Sequence, residues 1–156
     1  MRPQSKPNFL QALGFRILCR FMPELVLYAR LARKHAVIRN SEIAPSAKLH
    51  APYVVNRSKV GRYSYLASNS HVSMTTIGNF CSIGPNFLSG WGIHPTNGLS
   101  TAPMFYSTRR QNGITLSAMD KVNERKPIVI GNDVFIGANV TVLDGASIGD
   151  GAVIGA

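Results

Sequence analysis

Acidic side chains are scarce in this sequence. Seven Asp and Glu face 17 Lys and Arg, a formal net charge of +10 over 156 residues. The scarcity is uneven. Residues 1–40 hold eight basic side chains against Glu24 alone, so +7 of the excess sits there and the other 116 residues carry only +3. Basic character thus belongs to the N-terminal segment and not to the body of the chain. Cysteine is scarcer still. Cys19 and Cys81 alone exclude a disulfide framework and predict a reduced, cytoplasmic protein. Long apolar runs are missing too. Arg16, Arg20 and Glu24 interrupt the one apolar region, residues 9–32, which excludes a membrane span there. The same Arg16, with no clean small-residue cleavage site after it, argues against a signal peptide. No glycine-rich P-loop, dinucleotide fingerprint, metal-ligand cluster or nucleic-acid motif competes for the functional reading.

What the sequence does have is a ruler. Ile130, Ile136, Val142, Ile148 and Ile154 fall six residues apart. Gly131, Gly137, Gly149 and Gly155 follow four of them at i+1, and Val134, Val140, Ala146 and Ala152 stand at i+4. Six is too short a period for a helical or propeller repeat and is the period of a hexapeptide β-helix. Each hexad supplies a short strand and a corner, and three hexads make one triangular coil. Successive coils stack as parallel strands about 4.8 Å apart. The i and i+4 side chains point inward. The i+1 position is expected at the corner, where glycine tolerates positive φ.

Upstream the ruler runs through Ile43, Leu49 and Val55, steps by five to Val60, continues to Leu66 and Val72, and steps by five again to Ile77 before Ile83. Ile43, Val60 and Ile77 are therefore 17 apart, one trimmed coil each. Ala47, Ser64, Ser70 and Cys81 take the small inward i+4 positions. Cys81 reads as a packing residue. After Ile83 the ruler fails, and residues 95–127 form an excursion without hexads. Ordering so long an insertion costs entropy, which favours a functional loop. Before the ruler, Leu10, Leu13, Ile17 and Phe21 recur at helical spacing, and a second stretch from Pro23 runs through Leu25, Tyr28, Ala29, Ala32 and Ala36. Residues 1–40 are thus expected to form a basic helical cap over one end of a β-helix spanning residues 41–156. A basic amphipathic segment lying on an anionic membrane surface is the other reading.

FCSIG and IGNDVFIGANVTVLDGASIGDGAVIGA resemble the hexapeptide-repeat acyltransferases, which are left-handed parallel β-helices. IHPTNGLSTAPMFY, followed by a long excursion before IGNDV, resembles their xenobiotic and polysaccharide O-acetyltransferase branch. The resemblance covers residues 43–156. It implies an all-β, left-handed parallel β-helix that forms a homotrimer, with acetyl-CoA as co-substrate in the grooves between prisms and no metal. The hand is not readable from periodicity, since parallel crossovers are right-handed in about 98% of cases. The resemblance also implies a further coil and a C-terminal helix, which are absent after Ala156.

Acetyl transfer from a thioester to an alcohol needs a base for the hydroxyl proton, and neutral imidazole suits that task near neutral pH. It also needs a donor for the developing oxyanion. Among His35, His50, His71 and His94, only His94 sits where the ruler breaks, held toward extended backbone by Pro95. The resemblance places the catalytic base at His94. Thr96, Asn97, Ser100 and Thr101 are candidate hydroxyl binders, and Phe105 and Tyr106 either stack on an acceptor ring or pack the loop. Asp120 and Glu124 are candidates to orient His94, or plain surface charges. The resemblance carries the cofactor wall onto Phe135, Gly137, Ala138 and Gly155, while Arg109, Arg110 and Lys126 are candidates for its phosphates. The reading is an acetyl-CoA-dependent O-acetyltransferase acting on a saccharide hydroxyl in envelope or capsule polysaccharide synthesis. The alternatives are a streptogramin- or chloramphenicol-type antibiotic acetyltransferase and a non-catalytic hexapeptide scaffold.

Overall fold

The structure is a computed structural model that describes residues 36–156 together with Arg20. The expected helical cap lies outside the described residues, except at Arg20, which is helical, and at its end. Ala36, read with the helical stretch, instead opens a strand.

Fifteen short strands make five coils among the described residues. The first coil holds β1 (Ala36–Arg39), β2 (Glu42–Ile43) and β3 (Lys48–Leu49). The second holds β4 (Tyr53–Asn56), β5 (Lys59–Val60) and β6 (Tyr65–Leu66), and the third β7 (Ser70–Ser73), β8 (Thr75–Ile77) and β9 (Ser82–Ile83). The fourth holds β10 (Leu88–Ser89), β11 (Ile128–Ile130) and β12 (Phe135–Ile136), and the fifth β13 (Thr141–Val142), β14 (Ser147–Ile148) and β15 (Val153–Ile154). Every third strand pairs in parallel, giving three five-stranded sheets. Sheet A is β1-β4-β7-β10-β13, sheet B is β2-β5-β8-β11-β14, and sheet C is β3-β6-β9-β12-β15. This is the parallel β-helix that the hexads predict.

Period-six patterning dictates the core. Val55, Leu66, Val72, Ile77, Ile83, Ile130 and Ile136, all at position i, are buried. Cys81 and Val134 at i+4 are buried with them. Each large aliphatic contributes up to about 1.5–3 kcal/mol by leaving water. Cys81 is a free, buried thiol whose Sγ lies 3.1 Å from the Gly131 carbonyl, so it packs the prism as expected.

The structure moves the ruler at both ends of the regular run. Ile38 in β1 pairs with Val55, so the coils begin five residues before Ile43. Ser89 in β10 pairs with Val72 and Val142, so the ruler continues one hexad past Ile83, with Phe87 buried at i+4. A hydroxyl stands at Ser89 where an aliphatic is the rule. Its Oγ lies 2.8 Å from Thr75 Oγ1, which satisfies both groups in the core.

The corners correct the expectation about glycine. Positive φ falls at i+3, at Tyr63, Asn69, Phe80, Asn86, Asp133 and Asn139, and among the i+1 glycines only at Gly90, where the excursion begins. Glycine occupies i+1 because coils approach closely there. A Cβ on Gly84 would lie 2.7 Å from the Gly137 carbonyl atoms of the next coil. Asn side chains at i+3 tolerate the left-handed backbone and stack between coils. Asn69 Nδ2 donates to Asn86 Oδ1 at 2.7 Å, and Asn86 Nδ2 to Asn139 Oδ1 at 2.8 Å.

The five-residue steps all lie at the corner between sheets A and B. There Ser58 Oγ donates to the Asn56 carbonyl and accepts the Thr75 N–H at 3.1 Å, while Ser41 Oγ accepts the Ser58 N–H at 3.0 Å. This hydroxyl ladder takes up the backbone groups of the shortened corner. In the fourth coil the ladder stops, and the chain leaves through this same corner into the excursion between β10 and β11.

Candidate functional site

The excursion is held closed at its base. Arg125 Nε lies 3.3 Å from Asp144 Oδ1, and the Asp144 side chain is only 1% exposed. Asp144 Oδ2 accepts the Gly92 N–H at 2.8 Å and Oδ1 accepts the Lys126 N–H at 3.0 Å. Arg125 Nη2 donates to Ser73 Oγ at 2.8 Å and to the Gly90 carbonyl at 2.6 Å. One buried ion pair therefore joins the entry of the loop, its exit and three coils. A buried pair of this kind is sound only when further hydrogen bonds complete both partners, as they do here.

Above this base the loop makes its own polar core. Glu124 is buried, accepts from Ser107 Oγ and from Gln111 Nε2 at 2.9 Å each, and lies 3.6 Å from Arg109 Nε. The Glu124 carbonyl accepts the Ile93 N–H at 2.9 Å, which fixes the segment leading to His94. A single 3₁₀ turn, Pro103–Phe105, carries Tyr106 inward, where it is 4% exposed. Asp120 accepts from the Thr108 backbone N–H and Oγ1. Those bonds, the backbone one first, hold its carboxyl below the usual carboxylate range.

His94 stands exposed on this platform. Its Nδ1 lies 3.0 Å from the Thr101 carbonyl and 2.8 Å from the Tyr106 hydroxyl. A carbonyl can only accept, so Nδ1 carries the proton and the tyrosine oxygen shares it. Nε2 then keeps its lone pair and has no protein partner among the described hydrogen bonds. Burial first, and the charge of Glu124 second, push the Tyr106 hydroxyl above its ordinary pKa, so the phenol stays neutral beneath His94. His94 opens on a cavity of about 310 Å³ that Trp91, Arg109, Gln111, Glu124 and Arg125 also line.

The predicted residues separate into three groups. His94 and Tyr106 come together, with Tyr106 largely buried beside the imidazole and also lining the recess that Phe105 lines. Asn97 and Phe105 line a neighbouring recess of about 270 Å³, with Leu99, Leu116 and Lys121, and Thr96 is exposed beside it. Neither Asp120 nor Glu124 touches His94, so both leave the orienting role to Thr101 and Tyr106. Phe135 projects outward from sheet C, 47% exposed, in register with Ser82 and Val153. Gly137 is buried, and its N–H is taken by the Ile154 carbonyl at 2.9 Å, so it offers no free amide. Ala138 is half-buried and Gly155 exposed on the same side. Of the cationic candidates, Arg109 lines the His94 cavity, Arg110 is exposed at positive φ, and Lys126 packs over Gly145.

Sheet C lies across the prism from the A–B corner. Phe135 lies on sheet C, and Gly137, Ala138 and Gly155 follow its strands, whereas the excursion that carries His94 leaves from the A–B corner. Sequence reasoning passed over Trp91, Arg125 and Asp144. The cue for the last two was available only as two charged residues at the exit of the excursion and the following corner. Among the described residues no cluster of three metal-ligating side chains occurs, and no helix is long and apolar enough to cross a membrane.

Comparison with known proteins agrees with the repeat. Residues 127–156 match the family model of the bacterial transferase hexapeptide (six repeats). A chloramphenicol acetyltransferase of Morganella morganii is 35% identical over 117 residues, 62% of this chain and 55% of that protein. A probable macrolide acetyltransferase of Lysinibacillus sphaericus is 38% identical over 82 residues, 51% of this chain and 45% of that protein. A solved hexapeptide-repeat-containing acetyltransferase of Vibrio cholerae aligns over 94% of this chain and 75% of its own, at 24% identity and a TM-score of 0.47. The chain spans about half the length of the curated relatives it matches.

Proposed function

We propose that the chain is an acetyl-CoA-dependent O-acetyltransferase with His94 as general base. The observation that carries this is the Nδ1 pairing of His94 with the Thr101 carbonyl and Tyr106 hydroxyl, which leaves Nε2 a free base beside a cavity. Acetyl-CoA supplies a thioester carbonyl carbon. His94 Nε2 takes the proton of the acceptor hydroxyl as its oxygen forms the new ester bond and the C–S bond breaks. The same proton then passes from the imidazolium to the departing thiolate, so His94 ends neutral. The Thr101 carbonyl, facing Nδ1–H, stabilises the imidazolium between these transfers. Tyr106, kept neutral by burial, adds no competing charge.

The donor fits the outer face of sheet C in part. An exposed aromatic ring at Phe135 stands next to a glycine with no Cβ, and the free backbone contact falls to Ala138. Because the excursion that carries His94 leaves from the A–B corner, across the prism from that face, the complete site forms between copies of the chain, in keeping with a homotrimer. The acceptor is a saccharide hydroxyl. A second reading, an antibiotic hydroxyl, is favoured by the chloramphenicol and macrolide acetyltransferases among the relatives.

His94→Gln is the test. Release of thiol from acetyl-CoA is measured with pyranosides, chloramphenicol and a macrolide as acceptors. The substitution is expected to lower turnover by about 10²-fold or more, with an unchanged β-helix circular dichroism spectrum. Undiminished turnover in the folded variant sinks the proposal. The acceptor that turns over decides between the two readings. A wild-type chain that shows no heat of binding at millimolar acetyl-CoA is a scaffold.

A further inference from the structure

Trp91 is the only tryptophan in the chain, and it is 66% exposed. An exposed indole on a mobile loop would mean little. This one is held on both sides. The Gly90 carbonyl accepts from Arg125 Nη2, and the Gly92 N–H donates to the buried Asp144 carboxylate. Both glycines have positive φ, +71° and +92°, so the backbone turns sharply before and after the indole and aims it back over sheet A. The ring comes to rest beside His71, which projects outward from β7, with centroids 5.9 Å apart and planes 35° from parallel.

Beside this pair lies a recess of about 190 Å³, lined by Val54, Asn56, His71, Ser73, Trp91 and Arg125. Its floor is the paired backbone of β4 and β7, which is rigid. Trp91 and Arg125 also line the His94 cavity, so the indole is the wall between the two spaces. The chemistry of the recess is specific. It offers an aromatic face and several groups able to donate or accept hydrogen bonds, namely the Asn56 amide, the His71 imidazole and the Ser73 hydroxyl. It offers no uncompensated charge, since Arg125 is paired with Asp144. A phosphate is therefore a poor occupant. An uncharged, hydroxylated ring is a good one, with its C–H face on the indole and its hydroxyls on the polar side chains.

We propose that this recess is an acceptor subsite that binds a pyranose ring against Trp91, placing an adjoining ring or substituent in the His94 cavity. The proposal rests on the acetyltransferase reading for its purpose but not for its test.

Because Trp91 is the sole tryptophan, indole emission reports this recess directly, without turnover. Methyl glycosides and disaccharides of glucose, galactose and N-acetylglucosamine are titrated into the whole chain. At least one is expected to give a saturable change in emission. Asn56→Ala and His71→Ala are expected to weaken that binding by about 3- to 10-fold, the scale of one lost ring or hydrogen-bond contact. Unchanged circular dichroism shows that the fold is intact. No response to any pyranoside overturns the proposal. So does a response to acetyl-CoA alone, which would make the indole an adenine platform. Emission that shifts with protein concentration and not with sugar also overturns it, because a second copy then covers the ring. If pyranosides bind and no acetyl transfer occurs, the subsite stands and the acetyltransferase reading fails. If transfer occurs and Trp91→Ala leaves the acceptor KM unchanged, the subsite fails alone.

Discussion

At the scale of single residues, the candidate site depends on which nitrogen of one imidazole carries a proton. The Thr101 carbonyl and the Tyr106 hydroxyl both contact Nδ1; the carbonyl, which can only accept, selects the tautomer with a free Nε2, and the hydroxyl oxygen adds a second acceptor for the same proton. Removing the tyrosine oxygen should loosen that choice without abolishing it, since the carbonyl remains. Tyr106→Phe is expected to lower kcat by about 3- to 10-fold with little change in acceptor KM, on the scale of one hydrogen bond. The same residue gives a pH signature. Its folded pKa is raised above 10.0, so the folded state holds the phenolic proton more tightly than the unfolded one. The associated stability is present below pH 10 and is lost as pH rises above that value. Alkaline melts should therefore show a decline in wild type that Tyr106→Phe lacks. An equal alkaline decline in both proteins would contradict the assignment.

Among the elements, the excursion is the one with no repeat to support it. Its order comes from a few polar side chains. Arg125 and Asp144 tie its two ends to the third, fourth and fifth coils, while Glu124, Ser107 and Gln111 form a second knot above. Asp144→Ala leaves a guanidinium three-quarters buried without its counter-charge, at a cost of about 3 kcal/mol or more. The loss falls on the loop first, because the coils keep their own ladders. Limited proteolysis should cut Asp144→Ala between residues 91 and 127 well before wild type, while the β-helix spectrum persists. Equal resistance would show that the ion pair does not anchor the loop. The double variant Arg125→Met with Asp144→Leu, which leaves no orphan charge, is expected to be cut more slowly than the single one.

For the whole molecule, the question is which surfaces meet. Three sheets in the order A, B, C put the A–B corner, where the excursion with His94 leaves the coils, opposite sheet C, which carries Phe135. If the site forms between copies, two variants defective on opposite sides can complement. His94→Ala and Phe135→Arg should each be weakly active alone. Refolded together in equal amounts, they should recover about one quarter of wild-type activity, because about one interface in four pairs an intact His94 with an intact Phe135. No recovery on mixing would place the whole site within one chain.

The period of six, the trimmed steps and the inward aliphatics were legible in the sequence because each hexad repeats the same local bargain between strand, corner and core. Even the features passed over had a local trace. Ile38 keeps the 17-residue spacing to Val55, and Ser89 stands six after Ile83. They were obscured because one lies beside a helical pattern and the other is a hydroxyl among aliphatics. His94 was legible for a related reason, since regularity makes its own failure visible. The rest was decided by tertiary structure. Glycine at i+1 answers to the backbone of the next coil and not to its own φ. Tyr106 supports the imidazole from below, Arg125 finds Asp144 19 residues on, and Trp91 folds back upon His71 from the coil below. The Tyr106–His94 pair forms within the excursion, which has no repeat, the other contacts join residues from different coils, and a hexad specifies only its own strand and corner. Periodicity determines where the coils are; the stacking of coils decides which side chains share a site.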